Sequence, residues 1–479
     1  MLFNSVQFVV FFPLVTLLYF LAPQRARWGL LLAASCVFYM AFIPAYILIL
    51  AVLIVIDYSA GIQIEKSSGA ARKRWLILSI VSTCLALFTF KYFNFFGHNL
   101  DALAHFIGWN YSIGTLRLLL PIGLSFHTFQ SLSYVIEVYR GNQKAEHHFG
   151  IYALYVMFYP QLVAGPIERP QHMLHQFREV HHFDYDRVTS GLRLMAWGFF
   201  KKSVIADRLA VYVNGVYGHP TEFSGLPLVL ATVAFAYQIY CDFSGYSDIA
   251  IGSARVMGFE LMINFKRPYF SASVAEFWKR WHISLSTWFR DYLYIPLGGN
   301  RVARWRWYVN LLITFIISGL WHGANWTFVF WGALNGIYLL LGIMSEPLRT
   351  GACRLTGLAP GGTAVRLFEV ACTFALTCFA WIFFRANSLH DAWHIITHAW
   401  QSSPGTDLLI GNFSLYDAKI VIVAILVLEV VQMLQERGQF QARLRQLPIL
   451  MRWPLYCSFL FFILLFGVFQ HTQFIYFQF

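Results

Sequence analysis

Charge is what this sequence has least of. Of its 479 residues, 12% are Asp, Glu, Lys or Arg, about half the ~25% usual in soluble domains. Set beside 58% hydrophobic and 18% aromatic residues, that shortage excludes a soluble globule, which has no means of covering so much apolar surface. The low polarity also excludes intrinsic disorder. Low-complexity tracts and fixed-period repeats are lacking as well. So is any cysteine pattern with chemistry. The seven cysteines are odd in number and none has metal-site spacing, so they read as small apolar residues within hydrophobic runs. The first run, Met1 to Ala22, lacks the basic flank and small-residue cleavage site of a signal peptide and reads as a retained span. What remains is a polytopic membrane protein.

The apolar residues come in helix-length runs, not in the ~10-residue alternating strands of a barrel. After the first run, Trp28 to Ala60 carries one acid, Asp57, and a break at Pro44 that predicts two shorter spans. Further candidates are Leu76–Phe96, Leu116–Ile136, Ile151–Gly165, Leu226–Tyr240, Val309–Trp321, Trp326–Ile343, Leu367–Phe384, Ile420–Met433 and Pro454–Phe469. Together these give roughly a dozen transmembrane or re-entrant helices, since a comfortable span needs ~20 residues. The fold class is therefore all-α. Arg25, Arg27, Lys66, Arg72, Lys73, Arg74, Arg437, Arg443, Arg445 and Arg452 mark loops on the cytosolic side. Both termini are then expected outside. Gly351–Thr363 reads as a Gly-rich connector and Ser388–Asn412 as an exposed loop.

The net charge of +12 would suggest nucleic acid in a soluble chain. Here it is explained by cytosolic loops facing anionic headgroups of membrane lipids, so no nucleic-acid partner is expected. The basic residues are nonetheless uneven. Residues 266–306 hold eight basic side chains and two acids, Glu276 and Asp291, interleaved with aromatics such as Trp278, Trp281 and Trp288. That mixture predicts amphipathic helices at or within the cytosolic membrane surface.

Polar groups inside apolar runs are costly and therefore informative. In Ser318-Gly319-Leu320-Trp321-His322-Gly323-Ala324-Asn325-Trp326, a histidine interrupts an apolar stretch. Gly319 and Gly323 would let a substrate approach the backbone, and His322 can take a proton from a hydroxyl. The alternative is a core histidine satisfied by a carbonyl. His282 sits in Phe277-Trp278-Lys279-Arg280-Trp281-His282-Ile283-Ser284, where it is either functional or an interfacial packing residue. Asp242 and Asp248, in YQIYCDFSGYSD, either hold a helix break or line an aqueous funnel. Lys201 and Lys202 interrupt Leu192–Ala210 and read as snorkelling to the cytosolic face, or as one of them meeting the phosphate of a cytosolic ligand. His172, His175, His181 and His182 follow Pro170 without any cysteine and read as solvated surface.

The strings DFSGYSD, NFKRPY, FWKRWHISLSTWFRDYLYIPLGGN and SGLWHGANW resemble the membrane-bound O-acyltransferase family. With AGPIERP at 164–170 and the opening MLFNSVQFVVFFP, they are most similar to the bacterial branch that includes alginate O-acetyltransferase and the teichoic acid D-alanyl transfer protein. The resemblance runs over nearly the whole chain, and implies one membrane domain over residues 1–479, a ring of helices around a central funnel in the bacterial inner membrane. It implies transfer of an acyl group from a cytosolic thioester, acetyl-CoA, to a hydroxyl on an exported polysaccharide or on a partner acting on one. His322 matches the family's near-invariant histidine. His282 matches a less universal position that is His or Asn. Trp321, Asn325 and Asp242 are supporting candidates, and no donor-binding motif carries over. No metal is needed for this chemistry, and no metal motif is present.

The resemblance also extends to the end of the chain. The D-alanylation system has a small single-span partner with an aromatic C-terminal motif, and here residues 454–479 look like that segment fused as a last span plus extracytoplasmic tail. Tyr476 would accept the acyl group and pass it to an extracytoplasmic acetyltransferase partner in the polysaccharide export machinery. The alternative is an aromatic belt at the interface. Two other functions compete with acetyl transfer: D-alanyl transfer from a carrier-protein thioester, and a non-enzymatic transporter or flippase.

Overall fold

The computed structural model describes residues 1–109, 114–116, 118, 120–357, 359, 361–401, 413–438, 446–469 and 474–475. Among these, helices are the only regular elements, and the chain is an all-α polytopic membrane protein. Among the described residues, six helices are long and apolar enough to cross a membrane: Tyr46–Lys66, Gly69–Phe106, Leu226–Met257, Trp326–Met344, Thr363–Arg385 and Ile449–Phe466. Helices suit that role because each satisfies its own backbone hydrogen bonds. Their exposed side chains, including Val52, Leu78, Leu367 and Leu465, are those lipid would cover.

Several expected boundaries move for local reasons. The predicted break at Pro44 falls between the helices Gln24–Met40 and Tyr46–Lys66. The run from Ile151 yields only Phe149–Met157, because Pro160 disfavours helix at the residue before it. The two polar interruptions are partly helical, as Glu346–Thr356 and as Leu389–His398, the latter capped by the Ser388 side chain.

Two compact units divide the chain. The first comprises Met1–Met195 and Ile249–Met262. Asp57, buried within the helix Tyr46–Lys66, accepts from the Ser79 hydroxyl at 2.6 Å, with Thr83 one turn further along the same helix as Ser79. The AGPIERP loop folds inward, so that buried Glu168 accepts from the Met262 N–H at 2.6 Å and pairs with His172 at 2.7 Å. The four histidines after Pro170 are therefore not all solvated surface. His172 is ion-paired, and His181 is buried against the Phe259 ring at 4.8 Å; His175 and His182 are exposed.

The second unit comprises Ala196–Asp248 and Ile263–Phe479. Its centre is aromatic, with Trp281, Trp331 and Trp381 fully buried. Helices Arg304–His322 and Trp326–Met344 form a close hairpin. A Cβ on Gly319 would lie 2.2 Å from the Phe328 carbonyl oxygen, and one on Gly332 would lie 2.3 Å from that of Phe315. Small residues here let two backbones touch. The helix Leu226–Met257 runs 32 residues without a break, so Asp242 and Asp248 do not interrupt it.

Candidate active site

His322 ends the helix Arg304–His322, because Gly323 is extended and Asn325 caps the next helix by accepting from the Thr327 N–H at 3.1 Å. The Asn325 amide also donates to the Asn387 carbonyl at 3.2 Å, so its side chain is engaged in holding the hairpin. The His322 ring is 4% exposed. It lies 4.9 Å from Trp321, 5.1 Å from Trp331 and 5.3 Å from Phe384, all nearly edge-on. Gly323 does not open the backbone to substrate, since its Cβ position is filled by the Phe328 ring at 2.1 Å. The two glycines that flank His322 serve packing.

His282 lies between two seven-residue helices, Val274–Arg280 and Ile283–Phe289. It adopts a left-handed backbone, φ 44 and ψ 54, which turns the chain inward between them. Asn264 fixes that turn: its carbonyl accepts the Ile283 N–H at 2.9 Å, and its side chain accepts the Ser284 hydroxyl at 3.0 Å. The His282 ring is fully buried, 4.6 Å from Phe243 and 6.3 Å from Trp321. Trp321 thus touches both histidines. The block 266–306 is more internal than a surface amphipathic helix: Phe277, Trp278, Trp281, Leu285, Trp288 and Phe289 are buried.

Lys201 and Lys202 do not snorkel. They occupy a π-helical turn, Phe200–Ala206, a geometry that marks functional sites disproportionately. Both are buried. The Lys201 ammonium meets Asp248 at 2.7 Å and donates to the Ser244 hydroxyl at 2.9 Å. Lys202 bridges Asp207 and Asp242, 2.7 Å from each. The helix survives its two acids because each finds a cation within a low-dielectric setting. Sequence reasoning overlooked this pairing; the signal was available in two adjacent lysines and two acids that all interrupt apolar runs.

The other oxygen of Asp242 accepts the Ile475 N–H at 2.8 Å. Phe474 is buried, with its ring 4.9 Å from Tyr246 and 5.6 Å from Phe243. Phe243 therefore lies between the tail and His282. Tyr476, the expected acyl carrier, lies outside the described residues.

In the basic block, Glu436 gathers Arg267 at 2.5 Å and Arg280 at 3.1 Å. Burial alone would raise the Glu436 carboxyl, but hydrogen bonds from Arg280 and Arg267 hold it below its usual value. Lys266, Lys279, Arg301, Arg304 and Arg306 remain exposed. Among the described residues, no group of three or more His, Cys, Asp or Glu is placed to hold a metal.

A buried imidazole in an aromatic shell, with a second imidazole on the other contact of Trp321, suits proton transfer at a hydroxyl. The sequence model described as "MBOAT, membrane-bound O-acyltransferase family" matches residues 146–356, a range that includes both histidines. The chain belongs to this family and is an acyltransferase. It is 40% identical to a probable alginate O-acetylase, AlgI, of Pseudomonas aeruginosa, over 82% of this chain and 74% of the relative. It is 35% identical to a peptidoglycan O-acetyltransferase of Helicobacter pylori, over 83% and 79%. A teichoic acid D-alanyltransferase of Streptococcus thermophilus is 29% identical over 48% of this chain and 58% of its own length.

Proposed function

We propose that the chain takes an acetyl group from cytosolic acetyl-CoA and moves it across the inner membrane for O-acetylation of an exported polysaccharide, alginate- or cellulose-like. The observation that carries this reading is the shared contact of Trp321 with His282 and His322, both buried within one unit. Acetyl transfer is preferred to D-alanyl transfer because the relatives of 35–40% identity carry O-acetylase or O-acetyltransferase names, while the D-alanyltransferase aligns over only 48% of the chain.

Acetyl-CoA supplies a thioester, already activated toward attack. The chain's residues supply the rest. A ring nitrogen of His322 takes the proton of the acceptor hydroxyl as its oxygen adds to the thioester carbonyl. The carbon–sulfur bond then breaks, and the proton passes to the departing thiolate. His282 orients the donor or polarises its carbonyl. Trp321 holds the two rings in register, and Asn325 supports His322 by capping the adjoining helix. The exposed Lys266, Lys279, Arg301, Arg304 and Arg306 suit the donor's phosphates. Tyr476, one residue past Ile475, is the proposed acyl carrier within the 454–479 segment. With both termini periplasmic, it hands the acetyl group to an extracytoplasmic acetyltransferase.

The test is acetylation of the exported polymer in the cognate strain, comparing wild type with His322→Ala at matched protein levels. Loss of acetylation is expected, and retained acetylation overturns the assignment of His322 as base.

A further inference from the structure

Asp242 has two tasks. One oxygen holds Lys202 at 2.7 Å, and the other accepts the Ile475 N–H at 2.8 Å. Two neighbouring contacts act on the same stretch of chain. The Ser203 carbonyl, in the π-helical turn Phe200–Ala206, accepts the Val468 N–H at 2.9 Å, and Arg208 donates to the Phe466 carbonyl at 2.6 Å while also pairing with Asp417. The turn and the residues just after it therefore grip the chain where the helix Ile449–Phe466 ends, and Asp242 grips it again at Ile475.

Charge explains why a backbone N–H belongs at Asp242. Lys201 and Lys202 face Asp207, Asp242 and Asp248. A buried carboxylate is stabilised by main-chain N–H donors as well as by a cation. The contact is to the backbone, so it holds the main chain at Ile475 and does not select a particular side chain. Selectivity comes from the pocket for Phe474 formed by Phe243 and Tyr246.

We propose that Asp242, held in place by Lys202, is a latch that docks the chain at Phe474 and Ile475 beside Phe243 and His282, making it a positioning residue for that part of the tail. This deepens the carrier reading above, since a docked segment is what a carrier tyrosine requires. The docking itself is testable without any acyl transfer.

The experiment is hydrogen–deuterium exchange of the intact chain in lipid nanodiscs, localised by fragmentation to the Ile475 amide. In the wild type that amide is expected to exchange at least about tenfold more slowly than an unstructured one. Asp242→Ala is expected to speed its exchange by about tenfold or more, leaving the amides of Trp326–Met344 unchanged. Asp242→Asn keeps an acceptor oxygen but loses the charge, so its exchange should fall between the two. An unprotected Ile475 amide in the wild type overturns the proposal, as does equal protection in Asp242→Ala. If Asp242→Ala fails to assemble, Asp242→Asn decides: exchange equal to wild type overturns the latch. Tyr476→Phe should leave the protection intact. A protected Ile475 with no acetyl mark on Tyr476 keeps the latch and removes the carrier reading.

Discussion

Removing the Lys202 ammonium should be among the most damaging single changes in the second unit. Its nitrogen lies 2.7 Å from an oxygen of Asp207 and 2.7 Å from one of Asp242, so those two oxygens are at most twice that distance apart. Lys202→Met keeps the length and packing of the side chain while leaving two carboxylates facing each other. At that separation and an effective dielectric of ~20, like-charge repulsion alone is about 3 kcal/mol. That falls at the lower end of the roughly 3–5 kcal/mol typical of breaking a buried ion pair by removing one partner. Thermal unfolding in nanodiscs, followed by loss of monodispersity, should show a clear drop for Lys202→Met. The double variant Lys202→Met/Asp242→Asn should recover much of it, because the repulsion goes with the second charge. An unchanged midpoint for Lys202→Met, or a double variant no better than the single, would refute the reasoning that this cluster is held by charge.

Other outcomes are as definite. Gly319→Ala should destabilise the hairpin by about 1–3 kcal/mol through overpacking, since its Cβ would sit 2.2 Å from the Phe328 oxygen; an unshifted melting midpoint would contradict the close approach. Glu436→Gln should lower the midpoint near neutrality but matter less in acid. With the Glu436 carboxyl held below its usual value, its contribution is present above an unfolded pKa of about 4.3 and disappears as pH falls through the lower folded value. A wild-type advantage that persists unchanged to pH 3 would contradict that sign. Tyr476→Phe should abolish polymer acetylation at normal expression, checked by the acetyl content of the exported polymer and by mass spectrometry of the C-terminal peptide.

The two histidines stand out in the sequence because His322 interrupts an apolar run and His282 sits in a distinctive basic and aromatic string; their burial beside Trp321 is what the structure adds. The helical spans were legible from run length. What was not legible depended on partners distant in sequence. Lys201 and Lys202 look like snorkelling residues until Asp242 and Asp248 are seen on the facing helix about 40 residues later. Gly319 and Gly323 look like openings for a substrate until Phe328 is found filling the space beside both. The block 266–306 looks interfacial because its charge and aromatic content are averaged along the chain. The left-handed turn at His282 and the Asn264 anchor, which draw it inward, leave no periodic trace.

That turn has a consequence for how the site is interrogated. At φ 44, side chains with a carbon at Cβ are strained by about 1–2 kcal/mol, with asparagine and glycine the usual exceptions, and histidine is several-fold enriched in this region. The backbone thus restricts which residues can stand here before any chemistry is asked of them. Alanine is consequently not a neutral blank at 282, because it removes the imidazole and adds strain together. Asparagine preserves the turn and deletes only the ring, so His282→Asn isolates what the imidazole does.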